Sequence, residues 1–317
     1  MKGDAPLKPY SIGIDVGGTK VAYGLFSQDG SLMDRFQHPS DRNADGPAFT
    51  DTILETIHGI LRKNSLSLSD LNGVGLCMPS HILFDEGFVY LTPALPLIRS
   101  FAMREYLQKR LDARIILDND SNGAALAEYR RGAGRGCRHM VYIAMGTGIG
   151  SGLIIDGELF RGSYGWAGES GHMLVTPGEG ELCGCENRGC IMAYASGRFV
   201  ANRMQKDLRS GRSSILSKVE NPDCEDLLKA YRQGDAYADE MISSMAHYIA
   251  ICVYNLYQVL NINVFVFGGG LTNFGPVLFE RIRSAFDAFD HIGLPVEFRL
   301  AQLDQDFGII GAAELLR

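Results

Sequence analysis

Residues 11–27, SIGIDVGGTKVAYGLFS, run from an apolar strand through a glycine turn into a second strand, and Asp29-Gly30 closes the unit. The same pattern returns at residues 139–157, HMVYIAMGTGIGSGLIIDG. Short apolar runs bounded by glycine and Asp-Gly read as β-hairpins. One hairpin in each half of a 317-residue chain calls for two sheets, and that length exceeds what a single core of ordinary size fills. Helical spacing supplies the covering layers. GPAFTDTILETIHGILRK places Phe49, Ile53, Ile57, Ile60 and Leu61 on one stripe, and DAYADEMISSMAHYIAICVYNLYQVLN predicts a long apolar helix. The expectation is an α/β chain of two lobes with a cleft between them.

Glycines in such turns let backbone N–H groups approach an anion and permit a positive φ. DVGGT alone reads more readily as a tight hairpin. Three glycine turns, Gly17-Gly18-Thr19, Gly146-Thr147-Gly148 and Gly268-Gly269-Gly270, each directly after an apolar strand, favour a bound nucleotide. The P-loop pattern is absent, and Asn273 stands where the dinucleotide fingerprint needs glycine or alanine. Asp15, at the end of the first strand, is the candidate carboxylate for a water-coordinated Mg²⁺.

The segment DNDSN, residues 118–122, sits between the short strand ARIIL and a helix beginning near SNGAALAEYRR. In isolation it is a polar turn with Asp120 or Ser121 as helix cap. In a phosphoryl-transfer site one carboxylate takes the proton of an attacking hydroxyl while a neighbouring amide holds the acceptor. Asp120 is the candidate base and Asn119 the positioning amide.

His172, Cys183, Cys185 and Cys190 form His-x10-Cys-x-Cys-x4-Cys. Three thiols and one imidazole are the donors of a closed tetrahedral Zn²⁺ site, which braces a loop rather than doing chemistry. Lone buried cysteines are the alternative. Seven cysteines, an odd number, argue against a disulfide framework. A net charge of −7, without a Lys/Arg-rich run, argues against a nucleic-acid or membrane surface. No segment reads as a signal peptide or membrane span, so the expected setting is the cytoplasm.

The stretches IGIDVGGTK, ILDNDSNGAALAE, MGTGIGSGLIIDGELFRG, AGESGHM, CGCENRGC, VFVFGGG and DFGIIGAA together resemble the ROK family of sugar kinases and regulators along nearly the whole chain. The resemblance implies an actin-like ATPase (ribonuclease H-like) fold, ATP and Mg²⁺ in the cleft, and phosphorylation of a sugar hydroxyl, usually O6 of a hexose or N-acetylhexosamine. It implies Asp120 as base, with Asn119, Glu169 and His172 as sugar contacts and His172 also on zinc. Gly17, Gly18, Thr19 and Lys20, with Gly146, Thr147, Gly148 and Gly268 to Gly270, fall on the ATP site.

Four positions depart from the family pattern. Met192 replaces a glutamate that grips the sugar ring, Ser80 the glycine of a Pro-Gly turn beside the sugar, Ala94 an asparagine, and Glu186 the last glycine of CGCG. These departures keep open a second reading, a catalytically weak sugar-binding or regulatory protein. The repressor members carry an N-terminal DNA-binding module, whereas about ten residues precede the first strand here. A homodimer is the default assembly. The expected division is residues 1–120, completed by a helix at about 304–317, against residues 121–303 with a zinc-binding loop at 163–198.

Overall fold

A computed structural model describes residues 8–303 and 306–317. The described residues fall into two compact units, those within Met1–Gly136, Gly152–Ala167 and Gln302–Arg317, and those within Cys137–Ser151 and Gly168–Ala301.

The first unit opens with the antiparallel strands β1 (Tyr10–Val16), β2 (Lys20–Ser27) and β3 (Leu32–Pro39). Helix α1 (Gly46–Lys63) follows, with Asp45 accepting the Ala48 N–H as its cap and the predicted apolar stripe buried. Strand β4 (Leu71–Met78) then joins β1 in parallel. A small antiparallel sheet of β5 (His81–Leu83), β6 (Phe88–Leu91) and β7 (Arg99–Phe101) leads through α2 (Met103–Gln108) to β8 (Arg114–Asn119), parallel to β4, and to α3 (Asp120–Arg131). The main sheet has the order β3-β2-β1-β4-β8. Its register sets Asp15 opposite Cys77 and Cys77 opposite Asp118, so three parallel strands deliver their carboxyl ends to one edge. In open α/β sheets that edge is where ligands bind.

Strand β9 (Met140–Met145) opens the second unit, and β10 (Ile149–Ile155) carries the chain from it into the first, where β11 (Glu158–Phe160) pairs back on β10. The segment up to α4 (Met192–Ala195) is irregular, as expected for the cysteine-bearing stretch. Helices α5 (Gly197–Arg209), α6 (Cys224–Arg232) and α7 (Ala236–Leu260) follow. Strand β12 (Val264–Gly268) runs parallel to β9 and, after α8 (Pro276–Phe289), to β13 (Glu297–Leu300). Phe265, Phe267 and Phe286 fill the interior between these layers.

The final helix α9 (Phe307–Glu314) returns to the first unit; of the range expected for it, residues 304 and 305 lie outside the described residues. It lies directly on the sheet because glycines leave it room. A Cβ on Gly13 would stand 2.1 Å from the Ile309 carbonyl oxygen, and one on Gly75 1.7 Å from that of Ala312. Helix α3 packs against α9 in turn, with Arg130 and Arg131 bonded to the buried Glu314. For that reason the first unit runs to Gly136 instead of ending at residue 120, and it also takes residues 163–167 from the loop expected to lie wholly in the second.

Candidate functional site

At the β8–α3 junction the chain changes from strand to helix within two residues, which leaves the first N–H groups of α3 in need of acceptors. Asn119 caps the helix, its Oδ1 accepting the Ser121 N–H at 2.8 Å, and Asp120 is the first helical residue. The cap therefore falls one residue before the Asp120, and two before the Ser121, that were expected. Asp120 stands in the first turn, where the helix dipole favours a negative charge. Asn119 also donates its Nδ2 to the Ser80 carbonyl at 3.3 Å. These contacts bring the candidate base, the positioning amide and the Pro79-Ser80 turn together.

Beneath them Asp118 is buried and accepts three bonds: the Asn119 N–H at 2.8 Å, Asn122 Nδ2 at 2.7 Å and Arg161 Nε at 2.8 Å. Burial still pushes its carboxyl above the usual range, against the pull of Arg161. The Arg161 guanidinium rests 3.9 Å from the centre of the Phe84 ring. Sequence reasoning missed Arg161, which has no local signal 43 residues from its partner.

Asp15, next to last in β1, lies in a confined place, since a Cβ on Gly308 would lie 2.3 Å from its Oδ2. Burial, then the charge of Asp120, raise its pKa to about 6, with Lys20 pulling the other way. Two carboxylates near one lysine leave an excess of negative charge, a donor chemistry that fits Mg²⁺. In the turn that follows, Gly17 N–H donates to the Lys20 carbonyl at 2.9 Å, and Ser40 braces it from outside through its hydroxyl to the Gly17 carbonyl at 2.6 Å. Ser40 was not foreseen. Thr19 and Lys20 are exposed, and Gly18 approaches Ala94, where a Cβ would stand 3.2 Å from the alanine's own.

In the second unit Gly146-Thr147-Gly148 leaves β9 and Gly268-Gly269-Gly270 leaves β12, and Gly268 pairs with Ala144 on the adjacent strand. The structure thus brings these two glycine segments side by side. Gly146 and Gly270 have open space where a side chain would be, which suits the close approach of a ligand. Only Gly269 among these five glycines needs a positive φ, at 93°. Of the other four only Gly268 is closely hemmed in, a Cβ there standing 2.1 Å from the Tyr142 hydroxyl.

His172, Cys183, Cys185 and Cys190 gather their donor atoms within 4.8 Å of one another. His172 Nδ1 and the Cys183 sulfur are 3.6 Å apart, as are the sulfurs of Cys185 and Cys190. A tetrahedral Zn²⁺ with bonds of about 2.3 Å would hold its sulfurs about 3.8 Å apart, so the set fits. Burial raises the thiol pKa of Cys183, and that of Cys190 to about 12; a metal is what would turn these thiols into thiolates near neutral pH. With Nδ1 turned to the sulfurs, His172 Nε2 lies 4.0 Å from Glu169 Oε2, which pairs these two sugar-contact candidates.

Glu186, in place of the family's glycine, adopts φ 69° between the ligands. The Met192 thioether lies against both Gly148 and Gly171, where Cβ atoms would stand 3.7 and 2.9 Å from its methyl. Tyr194, also unforeseen, bonds Thr176 at 2.5 Å and stacks on Tyr248 with ring centres 4.0 Å apart.

Known proteins agree in kind. The ROK family model matches residues 11–317. A glucokinase from Halalkalibacterium halodurans is 32% identical over 312 residues, covering 96% of this chain and 94% of its own. Among solved structures, a ROK hexokinase from Thermus thermophilus is 28% identical with a TM-score of 0.81, covering 96% of this chain and 97% of its own. A ROK family glucokinase from Streptomyces griseus, solved with glucose and AMPPNP, is 28% identical with a TM-score of 0.78, covering 96% and 98%.

Proposed function

Since the chain belongs to the ROK family and has the actin-like ATPase fold, we propose that it is an ATP-dependent sugar kinase that phosphorylates a hexose hydroxyl, most simply O6, with Asp120 as general base. The observation that carries the reading is the Asp118-Asn119-Asp120 junction. It holds a carboxylate at a helix N-terminus beside an amide whose position is fixed by a bond at each end.

ATP with Mg²⁺ supplies the phosphoryl group and neutralises charge on its oxygens. Asp120 accepts the proton of the attacking hydroxyl, and Asn119 with Ser80 orients the sugar. Glu169 and His172 offer an acceptor and an imidazole N–H to other hydroxyls. Asp15 would hold the cation through water. The open glycines Gly146 and Gly270, with Gly17 and Gly18, let backbone N–H groups reach phosphate oxygens. His172 and the three cysteines would fill all four positions of a Zn²⁺, which would leave none for substrate and would brace the turn carrying Glu169 and His172.

ADP release measured over hexoses, amino sugars, pentoses and polyols tests the proposal. Sugar-dependent release from at least one is expected, and none from any would overturn it. That second result would favour the sugar-binding or regulatory alternative, for which Met192 speaks: its apolar thioether stands on the Glu169–His172 turn in place of an acid. We also propose a homodimer, which light scattering on the purified protein would test, and a cytoplasmic setting; no helix of the described residues is long and apolar enough to cross a membrane.

A further inference from the structure

A short loop in the first unit holds aromatic rings in water. Between Arg161 and Ala167 the chain closes on itself, the Ala167 N–H donating to the Arg161 carbonyl at 3.0 Å. Its beginning is pinned by the Arg161–Asp118 pair. Its end is pinned by Trp166, whose indole N–H donates to the Ile82 carbonyl at 3.1 Å. Gly165, at φ 94°, lies so close that a Cβ would stand 2.7 Å from the same carbonyl oxygen. The loop is therefore preorganised by a residue two positions before the proposed base.

What it presents is a group of rings. Trp166 meets His81 edge-on at 5.0 Å between centres, Tyr90 at 5.8 Å and Tyr164 at 6.2 Å. Tyr164 is 69% exposed and Tyr90 50%. Rings fixed in water bury no core, and a contiguous exposed apolar surface marks a binding face. The group is also continuous with the sugar side of the proposed site: His81 follows Ser80, whose carbonyl accepts from Asn119.

On the reading that the protein is a sugar kinase, we infer that this shelf binds a second sugar ring, and that the preferred acceptor is a disaccharide rather than a free hexose. Aromatic faces are apolar platforms with a polar edge, which suits the C–H face of a pyranose whose hydroxyls stay in water. The indole and the two phenols offer a phosphate no cationic group, so a neutral ligand is favoured over a phosphorylated one. The reacting ring is held through its hydroxyls by Asn119 and Asp120. The shelf lies one residue past Ser80, where a glycosidic partner would extend.

Trp166 is the only tryptophan in the chain, so its emission reports on the shelf without any turnover. Maltose, cellobiose and lactose are to be titrated against glucose and galactose on the full-length protein, by tryptophan fluorescence and by ADP release. At least one disaccharide is expected to shift the emission saturably and to show a KM about tenfold below that of its free hexose, a difference of about 1.4 kcal/mol. Tyr164→Ala and Tyr90→Ala, both at exposed positions, are expected to raise that KM several-fold with kcat unchanged.

Equal binding and KM for disaccharides and free hexoses, with no effect of either variant, would overturn the inference. So would a change of Tyr164→Ala from dimer to monomer with sugar binding untouched, since the rings would then belong to a subunit contact. A saturable emission shift without ADP release from any sugar would support the shelf while overturning the kinase reading, which keeps the two failures apart.

Discussion

At the β8–α3 junction each oxygen of Asp118 has a protein donor, and Asn119 is bonded through both ends of its amide. From Glu169 to Cys190 the chain has one short 3₁₀ turn and two isolated bridges, Leu174 with Cys190 and Leu182 with Arg188. The junction is held by hydrogen bonds between regular elements, so its geometry comes with the fold. The cysteine loop has scattered backbone bonds, such as Cys183 N–H to the Asn187 carbonyl and Gly189 N–H to that of Glu181, but no α-helix or β-strand, and its four donors converge where a metal ion could sit. Chemistry should therefore be separable from folding in the first region and inseparable from it in the second.

The largest effect separates them from the first side. Asp120→Asn is expected to lower kcat by about 10³-fold, within the usual range for a lost general base. Tm should barely move, because Asn119, not Asp120, caps α3. A variant with unchanged turnover would remove Asp120 from the mechanism; one that failed to fold would dissolve the contrast.

Zinc removal tests the second side. Metal analysis should find about one zinc per chain, bound by one histidine and three cysteines. Chelation, or Cys190→Ser, should lower Tm by on the order of 10 °C, open residues 174–189 to proteolysis and abolish turnover. Added zinc should restore the chelated protein and leave Cys190→Ser unrepaired. If the stripped protein kept its Tm and protease resistance, the loop would be self-supporting and the two regions would be alike.

What could be read beforehand divides along the same line. The hairpins, α1 and the β8–α3 boundary were legible because apolar periodicity and polar punctuation are local. The cap was misplaced by one residue because Asn119 and Asp120 both carry capping oxygens; Asn119 takes the extended φ −67°, ψ 149° that a cap needs. The four zinc-ligand candidates were legible from spacing alone. Arg161, Ser40 and Tyr194 were not, since each acts on a partner distant in sequence. The unit boundary was missed for a similar reason: α3 stays with the first unit through α9, nearly two hundred residues later.

Asp15 gives the first region a pH signature. Its carboxyl is raised from 3.8 to about 6 in the folded chain, so between those values the native state keeps a proton that the unfolded chain has released. The associated stability is fully present below about pH 4 and lost as pH rises through about 6. Asp15→Asn removes the burial of that charge. It should stabilise the metal-free protein by on the order of 2–3 kcal/mol at pH 8 and by nothing near pH 4. Paired chemical unfolding at the two pH values checks this, and a difference that did not change with pH would mean that Asp15 is not perturbed by burial.

The smallest expected effect lies in the second region and isolates backbone strain from metal binding. Glu186 holds φ 69° in a turn between Cys185 and Cys190, a conformation that costs an L-residue about 1–2 kcal/mol and glycine almost nothing. Glu186→Gly keeps all four metal donors and should raise Tm of the zinc-loaded protein by a few degrees. In the stripped protein the turn is expected to be free to relax, the strain is gone, and the same substitution should gain nothing; its added chain entropy would even cost a few tenths of a kcal/mol. Stabilisation that depends on zinc would mean that the metal imposes the turn. An equal gain with and without zinc would mean that the peptide chain alone sets it, and the loop would then owe its shape to the same kind of local bonding as the β8–α3 junction.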